Sequence, residues 1–170
     1  MSSSSWRAEI RKLVEEFSDS GKIFIVGLGS ILKGDDGVGA YIASKLKIFL
    51  RGILSVKVIV AEDRIGAALD LIKRDEVAAV FFVDAVDFSE NPGSIKVFTL
   101  EAVEDSYGYT HRIPLKTIVN ILKIEAPIYV IGVQPRRVEV GIGLSSEVKQ
   151  AAEELTKFLV EIFEGFNRKR

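Results

Sequence analysis

Apolar residues recur at helical spacing from residue 6 to 17 (Trp6, Ile10, Leu13, Val14, Phe17), so the chain opens with an amphipathic helix. Lys22 to Gly27 is a short apolar run bounded by glycines, the pattern of a buried strand. A second helical pattern runs from about Asp36 to Phe49, followed by a strand from Val56 to Ala61 and a helix from Ile65 to Lys73. Val77 to Val83 (Val-Ala-Ala-Val-Phe-Phe-Val) is continuously apolar and predicts a strand covered on both faces. Further on come a strand from Ser94 to Leu100, a polar loop over 101–110, a helix near 112–123, a strand from Ile128 to Val133 and an amphipathic helix from about Ser145 to Phe163.

Strands alternating with helices imply right-handed crossovers and a parallel sheet. The strand at 94–100 breaks this rule. Only Asp84 to Gly93 precede it, with a Pro-Gly turn and no helical pattern, too little chain for a parallel return. It is expected at an edge, antiparallel. The reading is therefore an α/β fold: a single-domain three-layer sandwich with a mostly parallel twisted sheet of about five strands, one antiparallel edge strand and helices on both faces. Residues 1–21 form a lead and a helix packing on that same domain, and 22–170 form the domain itself. In such sheets ligands bind outside the carboxyl ends of the strands, where strand order reverses. With the first strand central, that point lies between strands one and three, so the segments that matter are Gly27–Gly39 and Asp84–Phe88.

Composition narrows the function classes. Hydrophobic content of 48% with 28% charged residues is ordinary for a globular chain of 170 residues. A net charge of −1 leaves no electrostatic footprint for nucleic acid. No apolar run is long enough to span a bilayer and the start lacks a secretory apolar stretch, so no membrane insertion and a cytoplasmic location are expected. The absence of cysteine removes disulfides, thiolate ligands and a cysteine nucleophile together. The lone Met and the abundance of Lys and Glu lean toward a thermophilic source.

The segment Gly27-Leu28-Gly29-Ser30-Ile31-Leu32-Lys33-Gly34-Asp35-Asp36-Gly37-Val38-Gly39 carries the most chemistry. It does not fit the dinucleotide fingerprint, because Leu32 stands where the third glycine belongs. Glu62 and Asp63 also lie too far on for a ribose contact. A helix start that bears two aspartates repels a pyrophosphate, and two unit charges a few ångströms apart repel each other by roughly 1–4 kcal/mol in wet surroundings. Such a site favours a cation. Helix capping is the alternative for Asp35-Asp36, worth about 1 kcal/mol, and it accounts for one aspartate better than for two.

Asp84 ends the apolar third strand and should emerge beside the loop after strand one; an Asx-type turn leading toward Asn91-Pro92-Gly93 is the bland alternative. His111 is the only histidine and opens the helix after the 101–110 loop in Thr110-His111-Arg112-Ile113-Pro114-Leu115. Two carboxylates and one imidazole make a three-ligand set with open positions, suited to Zn, Ni, Co or Mn. Ligation needs a neutral imidazole and ionised carboxylates, so metal binding should weaken below about pH 6.

In these segments the chain resembles the [NiFe]-hydrogenase maturation endopeptidases. The likeness rests on the Gly27–Gly39 segment, on Val83-Asp84-Ala85-Val86-Asp87 with Pro92-Gly93, and on Thr110-His111-Arg112-Ile113-Pro114-Leu115. Ile131-Gly132-Val133-Gln134-Pro135 and Val138-Glu139 to Leu144-Ser145 also match. It spans residues 22 to about 163 and is closest to the formate-hydrogenlyase-type (hydrogenase 3) branch. The resemblance implies a protease that removes the C-terminal extension of a hydrogenase large-subunit precursor after nickel insertion. It implies Asp36, Asp84 and His111 as catalytic and nickel-contacting residues, and Gly29, Ser30, Asp35 and Gln134 as substrate-binding. Nickel comes with the substrate in that family, and other divalent metals can substitute. This sequence departs from the pattern twice: Ser30 replaces the usual Asn, and Ala61-Glu62-Asp63-Arg64-Ile65-Gly66-Ala67 replaces a Gly-Thr-x-Pro-Glu-Asn type segment.

Held by nickel, the scissile bond would lie beside the crevice, and positioning of that kind can supply roughly 7–11 kcal/mol at the extreme. Cleavage could follow from a polarised carbonyl, a metal-activated water, or an aspartate acting as general base. Two rivals remain at this stage. One is a non-catalytic module that binds nickel-loaded precursor. The other is a phosphoacceptor domain of the response-regulator type, which would need a lysine after its last strand where this chain has Gln134-Pro135-Arg136-Arg137.

Overall fold

The computed structural model describes residues 4–102, 119–120 and 123–168. Its elements are α1 (Ser4–Phe17), β1 (Lys22–Leu28), a 3-10 turn (Gly34–Gly37), α2 (Val38–Phe49), β2 (Val56–Glu62), α3 (Ile65–Ile72), β3 (Val77–Ala85), β4 (Ile95–Thr99), β5 (Ile128–Val133) and α4 (Ser146–Asn167). The five strands form one sheet in the order β2-β1-β3-β5-β4. β1 pairs in parallel with β2 and β3, and β3 with β5. β4 alone runs antiparallel, against β5 at the edge. The short connection from Asp84 to Gly93 has the consequence expected of it.

β1 and β3 read as unbroken apolar runs because both their faces are covered. Ile23 and Ile25 of β1, with Phe81 and Val83 of β3, face a layer built from Trp6, Ile10 and Val14 of α1, Ile42 and Leu46 of α2, and Leu155 and Phe158 of α4. Phe24 and Val26, with Val80 and Phe82, face the opposite layer, where Ile65, Leu69 and Ile72 of α3 pack. This is the three-layer sandwich. Among the described residues, no helix is long and apolar enough to cross a membrane.

Several local boundaries differ from the sequence reading by a few residues. The helix expected from Asp36 begins at Val38, because Gly34–Gly37 winds as a tighter 3-10 turn. Leu100 to Ala102 turn helical where the end of a strand (Leu100) and the start of a polar loop (Glu101, Ala102) were expected, and 103–110 lie outside the described residues. The last helix runs on to Asn167. Of the helix expected near 112–123, only Val119, Asn120 and Lys123 are described, the first two helical.

α2 sits unusually close to the sheet. A Cβ added to Gly39 would lie 1.9 Å from the Val83 carbonyl oxygen and 2.5 Å from that of Leu28. Only glycine lets the first turn of α2 rest on the carboxyl ends of β1 and β3. That contact fixes where the preceding turn, with its aspartates, must be.

Candidate active site

The loop after β1 turns at Gly29, whose φ is +97°. A Cβ there would stand 3.4 Å from Asp84 Oδ1, so the Asp84 carboxylate lies against the backbone of this glycine. The next residue, Ser30, donates its N–H to Asp36 Oδ2 at 2.7 Å. Asp36 and Asp84 thus flank adjacent residues of one loop, at the carboxyl ends of β1 and β3, where the strand order reverses. Both are buried. Asp84 Oδ1 also accepts the N–H of Ala85 at 2.9 Å. Neither the 3-10 turn nor α2 begins with a side-chain cap hydrogen bond, so capping does not account for the aspartate pair.

Asp35, one residue earlier, faces elsewhere. Its Oδ2 accepts the N–H groups of Arg136 (2.8 Å) and Arg137 (3.1 Å) and the hydroxyl of Ser145 (2.8 Å). Its Oδ1 accepts the Ser145 N–H at 2.7 Å. The carboxylate therefore ties the 3-10 turn to the loop between β5 and α4. Backbone bonds from Asp35 N–H to Arg137 O (3.1 Å) and from Gly34 N–H to Gly141 O (2.8 Å) reinforce the tie. Burial would raise the Asp35 pKa, but these donors outweigh it and hold the pKa below 3.8.

The sign of the linkage follows. A depressed pKa contributes stability that is present above the unfolded value of 3.8 and lost as pH falls from there through the folded pKa. In Asp35→Asn, one oxygen becomes an NH2 group that faces a donor. The substitution is expected to lower stability by about 2–3 kcal/mol, read as a fall in Tm. The gap to wild type should hold at neutral pH and narrow below pH 3.8. An unchanged Tm would show the tie to be without consequence.

Gln134 is buried and works in the same manner. Its Oε1 accepts the N–H groups of Phe88 (2.8 Å) and Glu90 (3.2 Å), and its Nε2 donates to Asp87 Oδ1 (3.1 Å) and to Pro135 O (3.3 Å). The Ser89 N–H and then the Gln134 amide, both bonded to Asp87 Oδ1, draw the Asp87 pKa below its ordinary value. Asp35 and Gln134 thus have internal partners, whereas Gly29 and Ser30 lie beside Asp84 and Asp36. Ser30 Oγ accepts the Leu32 N–H at 3.3 Å. His111 lies outside the described residues, and among the described residues no three His, Cys, Asp or Glu side chains are grouped to hold a metal ion. The two carboxylates brought together, Asp36 and Asp84, are hard oxygen donors that fit part of such a set.

The partners of Asp35 were not singled out from sequence. Ser145 precedes the last helix as a cap residue would, and it ends one of the segments that carry the family likeness.

Comparison with known proteins bears on the family and the fold. The HycI hydrogenase maturation protease profile matches residues 53–162. A Methanocaldococcus jannaschii protein provisionally named a hydrogenase maturation protease is 29% identical over 160 residues, covering 89% of this chain and 94% of that protein. A second protein of that organism, similarly named, is 31% identical over 146 residues, covering 81% of this chain and 94% of its own. The hydrogenase 3 maturation protease of Escherichia coli K12 is 26% identical over 130 residues, covering 74% and 81%. The crystal structure of a [NiFe] hydrogenase maturation protease from Thermococcus kodakarensis KOD1 superposes with a TM-score of 0.70 at 24% identity, over 89% of this chain and 99% of that one, which establishes the shared fold.

Proposed function

Because the chain belongs to the hydrogenase maturation protease family, we propose that it removes the C-terminal extension of a [NiFe]-hydrogenase large-subunit precursor after nickel insertion. Asp36, Asp84 and His111 engage the nickel that the precursor carries. The observation that carries this reading is the meeting of two buried carboxylates, Asp36 and Asp84, on the loop at Gly29-Ser30. Two buried carboxylates that flank adjacent residues of one loop favour a positive charge nearby. A nickel ion fixed in the precursor supplies that charge and brings a defined peptide bond to the crevice, turning an encounter into a positioned reaction.

Hydrolysis adds water across the bond. The hydroxyl goes to the carbonyl carbon, and the proton goes to the departing nitrogen. A carboxylate that takes the water's proton and later returns it serves both halves of the step. The reaction belongs to the cytoplasm in this reading, with the precursor as a protein partner and nickel as part of the substrate.

The test is incubation of nickel-loaded and nickel-free precursor with wild type and with His111→Ala. A shortened product is expected only from nickel-loaded precursor with wild type, and the His111→Ala rate should fall at least about 100-fold. No shortened product with wild type would end the protease reading. Equal trimming of nickel-free precursor would remove nickel as the handle.

A further inference from the structure

We propose that the exposed aliphatic side chains of the 30–33 and 137–144 loops dock an aliphatic segment of the same precursor, beside the bond to be cut. The inference rests on the protease reading above and adds to it a second point of recognition, separate from nickel.

Exposed aliphatic side chains are ordinary when scattered and informative when contiguous. Among the described residues nine large hydrophobic side chains are exposed, and five of them, Ile31, Leu32, Val138, Val140 and Ile142, sit on these two loops. Val140 is 93% exposed and Ile142 88%. The loops form one surface: Gly34 N–H donates to Gly141 O at 2.8 Å and Gly141 N–H to Leu32 O at 3.1 Å. Between them and helices α2 and α4 lies a groove of about 410 Å³, lined by Ile31, Leu32, Tyr41, Ile142, Leu144 and Lys149.

The groove adjoins the turn that carries Asp36: Gly34 and Gly37, on either side of Asp35 and Asp36, line it. Ser30, whose N–H holds Asp36, directly precedes Ile31. A Cβ on Gly37, the residue after Asp36, would lie 2.8 Å from the Ile31 Cα. A polypeptide drawn across Asp36 and Asp84 would therefore extend over this surface. A second copy of the chain seated there would instead obstruct the approach to the carboxylates. The surface is also preorganised, because the backbone bonds of Gly141 to Leu32 and Gly34 hold the two loops together and Asp35 ties the adjoining turn to Arg136 and Ser145. Covering these exposed aliphatic side chains removes apolar area from water, which favours association with an apolar partner segment.

The test compares wild type, the double variant Val140→Asp/Ile142→Asp, and a control double variant, Ile48→Asp/Leu54→Asp, whose side chains are exposed elsewhere. Equilibrium binding is measured with nickel-free precursor, and KM and kcat with nickel-loaded precursor. The 140/142 variant should bind at least tenfold more weakly and show a KM at least tenfold higher, with kcat within about twofold of wild type; the control should match wild type in all three. Equal binding and KM in the 140/142 variant would overturn the proposal, as would an equal loss in the control or no binding by wild type. A wild-type dimer dissolved by the 140/142 substitutions without loss of precursor binding would also overturn it. If wild type binds in a patch-dependent way but cuts nothing, the docking surface stands and the protease reading falls.

Discussion

Asp36→Asn and Asp84→Asn are each expected to cut the rate of precursor cleavage by at least about 100-fold, with Tm close to that of wild type. The amide has the volume of the carboxylate, and its oxygen can still accept the Ser30 N–H that Asp36 Oδ2 holds at 2.7 Å, or the Ala85 N–H that Asp84 Oδ1 holds at 2.9 Å. What the substitution removes is charge. An amide neither attracts a divalent cation as a carboxylate does nor accepts a proton from water at neutral pH. Residues that act on one ion lose function together, so the double variant should be scarcely slower than the slower single one. Cleavage within tenfold of wild type for either single variant would remove that residue from the chemistry. A collapsed Tm with lost cleavage would instead assign the aspartate to the fold.

The sequence made the sheet legible because its chemistry is strongly patterned. Phe24, Val26, Phe81 and Phe82 leave no polar face on β1 or β3, and strands without a polar face belong in the middle of a covered sheet. Once β1 and β3 are neighbours, Asp84 must emerge beside the loop after β1, and the structure puts it there against Gly29. Charge and spacing alone do not separate Asp35 from Asp36, which only the family resemblance assigns to different roles. Adjacent acidic residues read alike in one dimension, and only the 3-10 turn sends Asp35 toward Ser145 and Asp36 toward Ser30. Gln134 was opaque for a similar reason: three of its four hydrogen bonds join two loops that are over forty residues apart in the chain. Long-range polar ties have no periodicity for a sequence reading to detect. The boundary of α2 was displaced because two aspartates before an apolar run resemble a helix start, while Gly34, with φ +57°, permits the tighter turn that precedes it.

Gly29→Ala is expected to be the most damaging single-methyl change in the site. Two independent penalties fall on it. With φ at +97° the residue occupies backbone space that an L side chain rarely adopts, at a cost of about 1–2 kcal/mol. The added methyl would also stand 1.7 Å from the carbonyl oxygen of Asp36, which is backbone and cannot swing aside. Overpacking of this severity costs about 3 kcal/mol or more, so a total near 4 kcal/mol follows from the sum. Relief of the clash must move the 3-10 turn, and the turn carries Asp36; the same methyl presses toward Asp84 Oδ1. Stability and cleavage should therefore fall together. Gly52→Ala separates the two penalties, because Gly52 has φ +89° but no atom within 4 Å of the position its Cβ would take. Its cost should stay near 1 kcal/mol, with cleavage unchanged. Thermal denaturation of the two variants alongside wild type, followed by precursor cleavage, reads both quantities. If Gly29→Ala melts no lower than Gly52→Ala, then the Asp36 carbonyl yields freely, and the close packing of the β1 loop on the turn does not hold the two carboxylates in place.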